Sequence, residues 1–499
     1  MVISPVHYIA LPLLAAFLIP LFSKINRELV RIVPGLVLAY LSAVSVILMN
    51  RVIQTGQPII ETIAGWRAPW GIDLVFSPFT GFLASIMTFM ALLIWLYSYR
   101  FKKVDHEPAL KYYILFMMLV TGSTGIVITG DIFNMFVFME ITAIASFSLT
   151  SFYRDRDGAE AGFKYLLIGS LASTFVLLAI LLLYSQVGTL NMAQIAERMH
   201  DVPSGMKITI LILFATGLGI EAEMFPLNGW APDAYSQSPS PVGSAFAAIV
   251  VKAGVYSLIR VIFTLFDVHG AYEFLIIMGI ITLVISEFTA MKQTNLKRML
   301  AYSSIGQMGF VLIAFGIGTK EAVFGALFLM FNHAVIKSLL FMSGSYFVYN
   351  NTSKEITDLS GMGKKFPLLA FFFAIGAFAI VGLPPFAGFW SKLYILIAAA
   401  DNSLLGLVAI ILMVSIIEIV YYFRVVAKLY FGKPVEESIT HKPTIGGYIS
   451  MSILAAVIVI VGFYPDIVTG FLHNAADALL DKSGYINNVL HGAGELVKL

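Results

Sequence analysis

The 499-residue sequence has no cysteine. This excludes iron–sulfur clusters held by the chain's own thiolates, cysteine zinc sites and disulfides. Glutamine is scarce too, a pattern associated with thermophilic sources. Charged residues make up only 12% of the chain, about half the share in a soluble domain. The net charge of +2 offers no basic footprint for nucleic acid. Neither a P-loop nor a dinucleotide fingerprint is evident, so the chain is expected to hold no redox or hydrolytic centre, no cofactor and no metal. What remains is apolar: 59% of the residues are hydrophobic, gathered into runs long enough to cross a bilayer. The expected fold is an all-α, multi-pass membrane protein.

A window of about 19 residues predicts about 14 transmembrane helices. Among them are spans near 29–49, 131–152, 206–224, 242–265, 321–348, 366–384 and 446–472. The stretch 51–76 alternates and carries Trp66, Trp70 and Gly71, which predicts a short β-hairpin on the membrane surface. Lys24, Arg27, Arg31, Arg100, Lys102, Lys103, Arg154, Arg156, Lys292, Lys297 and Arg298 fall in loops on one side. The positive-inside rule makes that side cytoplasmic and places both termini outside. The Lys297–Arg298 pair reads as an anchor there. The tail after 472 is weakly amphipathic and fits either the membrane surface or a partner.

Several ionisable residues interrupt the apolar runs. Glu140 lies in GDIFNMFVFMEITAIASFSL, Glu221 in ITILILFATGLGIEAEMF and Lys252 in AFAAIVVKAGVYSLI. His333 and Lys337 share FGALFLMFNHAVIKSLLFM, and Lys392 follows LPPFAGFWSK. Glu140 is nine residues beyond Asp131, or about 14 Å at helical rise, near the middle of a ~30 Å core. The same count puts Glu221, Lys252, His333 and Lys337 near mid-depth, so these charges form a layer. A charge at the bilayer centre costs at least a few kcal/mol, which makes each a candidate for ion movement. His333 and Lys337 are four apart and share a helix face. The bland alternative for each is a structural counterion, and Lys392 is close enough to a span end to snorkel. Glu223, three residues before Pro226, is expected to face the helix break or a lipid boundary.

The seventh span breaks at EMFPLNGWAPDAYSQ and the twelfth at GLPPFAGFWSKLYI. Each break joins Pro, Gly and an aromatic to a nearby ionisable residue. They lie five spans apart, an odd offset that reverses direction across the membrane. The predicted architecture is therefore an inverted repeat of two five-helix units with two Pro-broken helices. The expected divisions are 1–109 (N-terminal helices and hairpin), 110–265 and 266–430 (the two units), and 431–499 (last helix and tail).

Over nearly its whole length the chain resembles the antiporter-like large subunits of Mrp sodium/proton antiporters, respiratory complex I and membrane-bound hydrogenases. The resemblance is carried by GWRAPWGIDLVFSPFTGF, DIFNMFVFMEITAIASF, LKRMLAYSSIGQMGFVL, FNHAVIKSLLFMSG and GLPPFAGFWSKLYIL. SPVGSAFAAIVVKAGVYSLIR is most similar to the D-type Mrp subunit and its hydrogenase equivalent. The resemblance implies proton transfer along a midplane row. Glu140 would help gate a half-channel, Lys252 would relay at the centre, and His333 and Lys337 would continue to Lys392 at the exit. It also implies that Lys164 modulates Glu140. One position departs from the pattern: Glu221 stands where the family usually has a Lys four residues before Phe-Pro. Glu223 is close by. Two close carboxylates cannot both ionise cheaply in a low dielectric. Either Lys252 neutralises one of them, or the pair makes a sodium- or proton-binding site, or the channel is re-tuned or degraded.

Three functions fit. The chain is an ion-translocating subunit of a redox-driven complex with iron–sulfur partner subunits, a subunit of a stand-alone sodium/proton antiporter, or a scaffold with a degraded channel. In the first two the energy must come from partner subunits or an opposing gradient. In each it sits in the cell membrane among other membrane subunits and lipid.

Overall fold

The computed structural model describes residues 3–99, 108–266, 268–351, 353–433 and 443–492. The predicted anchors Arg100, Lys102 and Lys103, and the last seven residues of the tail, lie outside them. Helices dominate: α1 (His7–Ile25), α2 (Leu29–Thr55), α3 (Pro78–Ser98), α4 (Pro108–Ile128), α5 (Ile132–Thr150), α6 (Arg156–Val187), α7 (Met192–Arg198), α8 (Ser204–Glu221), α9 (Ala231–Gln237) and α10 (Ser240–Phe266). They continue as α11 (His269–Lys292), α12 (Leu296–Ile317), α13 (Lys320–Asn351), α14 (Pro367–Val381), α15 (Ala387–Asp401), α16 (Leu405–Phe431), α17 (Ile445–Phe463), α18 (Asp466–Leu480) and α19 (Lys482–Leu490).

Among the described residues, 13 helices are long and apolar enough to cross a membrane. The fourteenth expected span is the twelfth, present as two short helices, α14 and α15, on either side of a break. Two other boundaries differ from expectation. Helix α2 runs on to Thr55, because Gly56 in the left-handed conformation ends it only there. The last span stops at Phe463, since Pro465 cannot continue the ladder, and α18 begins a separate helix.

The hairpin forms as predicted, with strands β1 (Ile59–Thr62) and β2 (Asp73–Phe76) antiparallel and Ile59 opposite Phe76. Trp66 and Trp70 at its tip are exposed. All four β2 residues are buried. They dock on the α4–α5 turn, where the Gly130 amide donates to the Asp73 carbonyl at 2.8 Å. The seam continues through the Met192 amide to the Gly130 carbonyl, also 2.8 Å.

Local capping sets the register of the charged helices. The Asp131 carboxylate caps α5 by accepting from the Asn134 amide at 2.7 Å. Asn295 caps α12 in the same way. Ser77 and Thr80 make a reciprocal capping box at the start of α3, with Pro78 at the first helical position.

Helices α10, α12 and α13 form the centre and are almost wholly buried. α1, α6 and α16 lie at the periphery with apolar outer faces such as Phe163, Leu167 and Ile416. The tail helices α18 and α19 pack on the protein itself, on the hairpin side. Leu472, Ala475, Ala476 and Leu479 are buried, and His473 stacks on Phe324 at 4.1 Å.

A candidate ion pathway through the helix centre

The two breaks deliver charges to the interior. Helix α8 ends at Glu221, and the chain turns through Ala222 and Glu223 before Pro226. Glu223 adopts φ +59°, a left-handed conformation uncommon outside glycine. At the second break Gly382 has φ +89°, and a Cβ there would approach within 3.1 Å of the Lys392 side chain. The bend thus needs glycine both for its backbone and for the lysine packed beneath it.

Glu140 is half-buried on α5 and accepts a hydrogen bond from Ser173 on α6. Glu221 is half-buried as well and lines a small cavity with Met139, Thr142, Ala253 and Ser257. Glu140 and Glu223 are the carboxylates whose fields act on Glu221. Glu223 does not face a lipid boundary: it is 1% exposed, and neither of its carboxylate oxygens has a hydrogen-bond partner among the described residues. The left-handed residue lies in the break of the span, and its side chain is turned into the protein. Tyr235 and Lys252 lie on the protein side of it.

Lys252 is fully buried on α10, just after a π-helical turn over Phe246–Val250. Such a turn adds a residue to the helix and re-aims the side chains beyond it. Close approach by α8 is allowed by Gly254, where a Cβ would sit 2.3 Å from the Glu221 carbonyl oxygen. The Lys252 ammonium lies 2.5 Å from Nδ1 of His333 on α13 and donates to the Ala247 carbonyl at 3.1 Å. With Nδ1 accepting, His333 Nε2 carries the hydrogen and donates to Ser304 Oγ at 3.0 Å. Lys337, one turn along α13, donates to Ser303 at 2.7 Å, Tyr422 at 3.0 Å and the Leu300 carbonyl at 3.2 Å. So His333 and Lys337 share a face but have separate partners, one toward Lys252 and one toward α16.

Lys392 does not snorkel. It is buried and forms a 2.5 Å ion pair with Glu418 on α16. Gln307 donates to the other Glu418 oxygen at 2.9 Å. The sequence reading missed Glu418, although it interrupts the run IILMVSIIEIVYYF by the same signal that marked Glu140. It missed Glu287 likewise, in IITLVISEFTAM. Glu287 is 0% exposed on α11 and accepts from the Tyr421 hydroxyl at 2.7 Å.

Three basic residues nearby hold other elements together. Lys164 pairs with Glu160 at 2.7 Å and Asp233 at 3.0 Å, with no ion pair to Glu140. Lys297 is buried and donates to the Ser238 carbonyl at 3.0 Å, while Arg298 meets Asp233 at 2.5 Å. Asp233 on α9 thus ties α6 to α12, and the Lys297–Arg298 pair fastens the α9–α10 connection as well as facing the loop side. No group of three or more His, Asp or Glu able to hold a metal occurs among the described residues.

The stretch that carries these groups matches a known family. The family model for the NADH:quinone oxidoreductase/Mrp antiporter transmembrane region fits residues 129–418. The chain belongs to this family. The N-type subunit of the NADH-quinone oxidoreductase of Desulforudis audaxviator is 33% identical, over 85% of this chain and 86% of that protein. The D-type subunit of the sodium/proton antiporter of Alkalihalophilus pseudofirmus is 28% identical, over 97% and 99%. A chain of the membrane-bound sulfane sulfur reductase, an archaeal respiratory membrane complex, is 39% identical with a TM-score of 0.91, over 98% and 100%. A chain of the Mrp complex from Dietzia shares the fold at 23% identity and a TM-score of 0.90, over 98% and 100%. Members of this antiporter-like family have the all-helical, broken-helix architecture described above, and its relatives are subunits of multisubunit membrane complexes.

Proposed function

We propose that the chain is the ion-translocating membrane subunit of a redox-driven complex. Protons cross it along Glu140, Glu221, Glu223, Lys252–His333, Lys337 and Glu418–Lys392. The observation that carries this reading is the Lys252–His333–Ser304 chain, with N···N and N···O separations of 2.5 and 3.0 Å. It joins α10, the helix after the first break, to α12 and to α13, the helix leading to the second, through groups that include a lysine and a histidine able to take or release a proton. The field of Glu223 acts on Lys252, but its direct hydrogen-bond contacts are an imidazole and a carbonyl, a geometry suited to passing a proton. Holding it there costs at least a few kcal/mol in a bilayer, a cost that a working relay accounts for.

The 39% identity to the sulfane sulfur reductase chain over its full length supports a redox-driven assembly; iron–sulfur subunits are the partners proposed to supply its electrons. The loops rich in Lys and Arg then face the cytoplasm. The hairpin, the tail helices and both termini lie outside the cell membrane. Coupling is electrostatic: a charge change at one group shifts proton affinity at the next.

A second reading is a stand-alone sodium/proton antiporter. The two unpartnered oxygens of Glu223 beside Glu221 favour it, since a carboxylate pair suits a sodium ion as well as a proton. One experiment addresses both. The purified complex is reconstituted in vesicles and ion uptake is followed with and without sodium. Glu140→Gln is expected to lower coupled proton transport roughly tenfold or more with normal assembly. Unchanged transport would overturn the pathway and leave the scaffold. A strict sodium requirement without redox partners would favour the antiporter.

A further inference from the structure

Glu287 has no place in the row just described, yet the structure builds a niche for it. It lies on α11, five residues before Lys292, about 8 Å from the helix end on the Lys/Arg-rich side. Glu418 is thirteen residues from the corresponding end of α16, about 20 Å. Glu287 is therefore displaced from the row toward that face. Gly306 on α12 makes room for it, since a Cβ there would fall 2.3 Å from Glu287 Oε1. Any side chain at 306 would evict the carboxylate.

The polar contacts of Glu287 are lopsided. Oε2 accepts from the Tyr421 hydroxyl at 2.7 Å. Among the described residues Oε1 has no partner, and neither has the side-chain amide oxygen of Gln307, the residue next to Gly306. Both are buried acceptors without a donor among the described residues, and a proton on Glu287 removes the unpartnered charge on its own carboxylate. The charged and titratable groups acting on Glu287 come from each neighbouring element: Glu418, Tyr421 and Tyr422 on α16, Lys337 on α13 and Lys392 on α15. Tyr422, whose ring lies 4.8 Å from that of Tyr421, also holds Lys337 at 3.0 Å. One turn beyond Glu287, the exposed Arg424 donates to the Met291 and Gln293 carbonyls at 3.1 and 2.9 Å. The α11–α16 seam thus carries polar contacts from the exposed Arg424 to the buried Glu287 and Tyr421.

We propose that Glu287 is a proton-binding station through which Glu418 and Lys337 exchange protons with the face bearing the Lys/Arg-rich loops. The proposal rests on the ion-pathway reading. The step balances simply. A proton from that face protonates the Glu287 carboxylate and then passes to Glu418. Glu287 returns to its anionic form, and the total charge of the two carboxyls is unchanged by the transfer. Tyr421 remains a donor to Oε2 throughout and acts as a positioning residue.

The test compares Glu287→Gln, Glu287→Asp and Glu140→Gln in the reconstituted complex. Glu287→Gln is expected to assemble and to lose transport roughly tenfold or more, with partial recovery in Glu287→Asp. Loss in Glu140→Gln alone, with full transport in Glu287→Gln, would overturn this proposal while leaving the pathway intact. Full transport in Glu140→Gln would instead overturn the pathway itself. A measurement on the unaltered complex covers failure of the variant to assemble. Dicyclohexylcarbodiimide, which modifies protonated buried carboxyls, is applied to vesicles and the adducts are mapped by mass spectrometry. Modification of Glu287 that falls as pH is raised on the Lys/Arg-rich side supports the station. No adduct at any pH, or an adduct indifferent to that side's pH, overturns it.

Discussion

Lys392 and Glu418 give the clearest single-residue ledger. Both are buried, and the pair is held by a 2.5 Å contact with a further donor from Gln307. Removing one partner of a buried pair strands the other, at about 3–5 kcal/mol, whereas removing both together costs far less. Lys392→Met is thus expected to lower the thermal unfolding midpoint of the complex substantially. Lys392→Met combined with Glu418→Gln should recover most of it. Transport should remain lost in the double variant, because the proton-binding groups are gone. A double variant as unstable as the single one would mean that the pair is no stabilising unit. The separation of stability from transport also distinguishes a working pair from a merely structural one.

Whole elements position these residues, and the hairpin shows how a peripheral element does so. Asp73 on β2 accepts from Thr62 at 2.7 Å and from Asn191 at 3.0 Å, and so joins the hairpin to the segment before α7. Burial pushes the Asp73 carboxyl above the ordinary range, and the bonds from Thr62 and Asn191 pull against that. A raised folded value means that the native state binds more protons than the unfolded one between the ordinary and raised values. Stability from this group is therefore greatest below the ordinary value and falls as pH rises through the raised one. Hydrogen exchange over 59–76 should quicken across that window, and Asp73→Asn should flatten the dependence. A pH-dependence unchanged in the variant would assign it to another group. How far the sequence disclosed these elements follows from what each signal encodes. Spans, breaks and the hairpin were legible because apolar runs, prolines and alternation are local. Glu140, Lys252, His333, Lys337 and Lys392 were legible because a charge inside an apolar run is conspicuous. Their partners were not: no periodicity tells that Lys252 meets His333 rather than a carboxylate. Nor does it tell that a left-handed residue turns Glu223 inward, or that Lys164 meets Asp233. Glu418 carried the same signal as Glu140, and only its pairing with Lys392 reveals its place. Glu287 lies near a helix end, where an acidic residue ordinarily reads as reaching the surface.

At the scale of the molecule, the buried row and the exposed flanks ask for different surroundings. The middle of the row, Lys252, His333 and Lys337, lies on α10 and α13, which are enclosed by the chain itself. Phe163, Leu167 and Leu181 on α6, and Leu412, Ile416 and Val420 on α16, face outward. Lipid can cover such faces, but the chain also needs a source of energy, and its sequence carries neither a nucleotide-binding motif nor a cysteine for an iron–sulfur cluster. The row can move ions against a gradient only if a partner protein or an opposing ion gradient drives the charge changes. Solubilisation of native membranes in mild detergent, with mass spectrometry of everything that co-purifies, decides between them. Iron–sulfur chains together with other membrane subunits are the expected outcome, and make the row the pump of a redox enzyme. Recovery of only small hydrophobic antiporter subunits would move the energy source to a sodium gradient. It would also make Glu221 and Glu223 the first residues to test for sodium binding. An intact chain recovered alone and active in vesicles would overturn both assemblies, because the outward faces of α6 and α16 would then be lipid-covered and the row would carry ions only down their gradient.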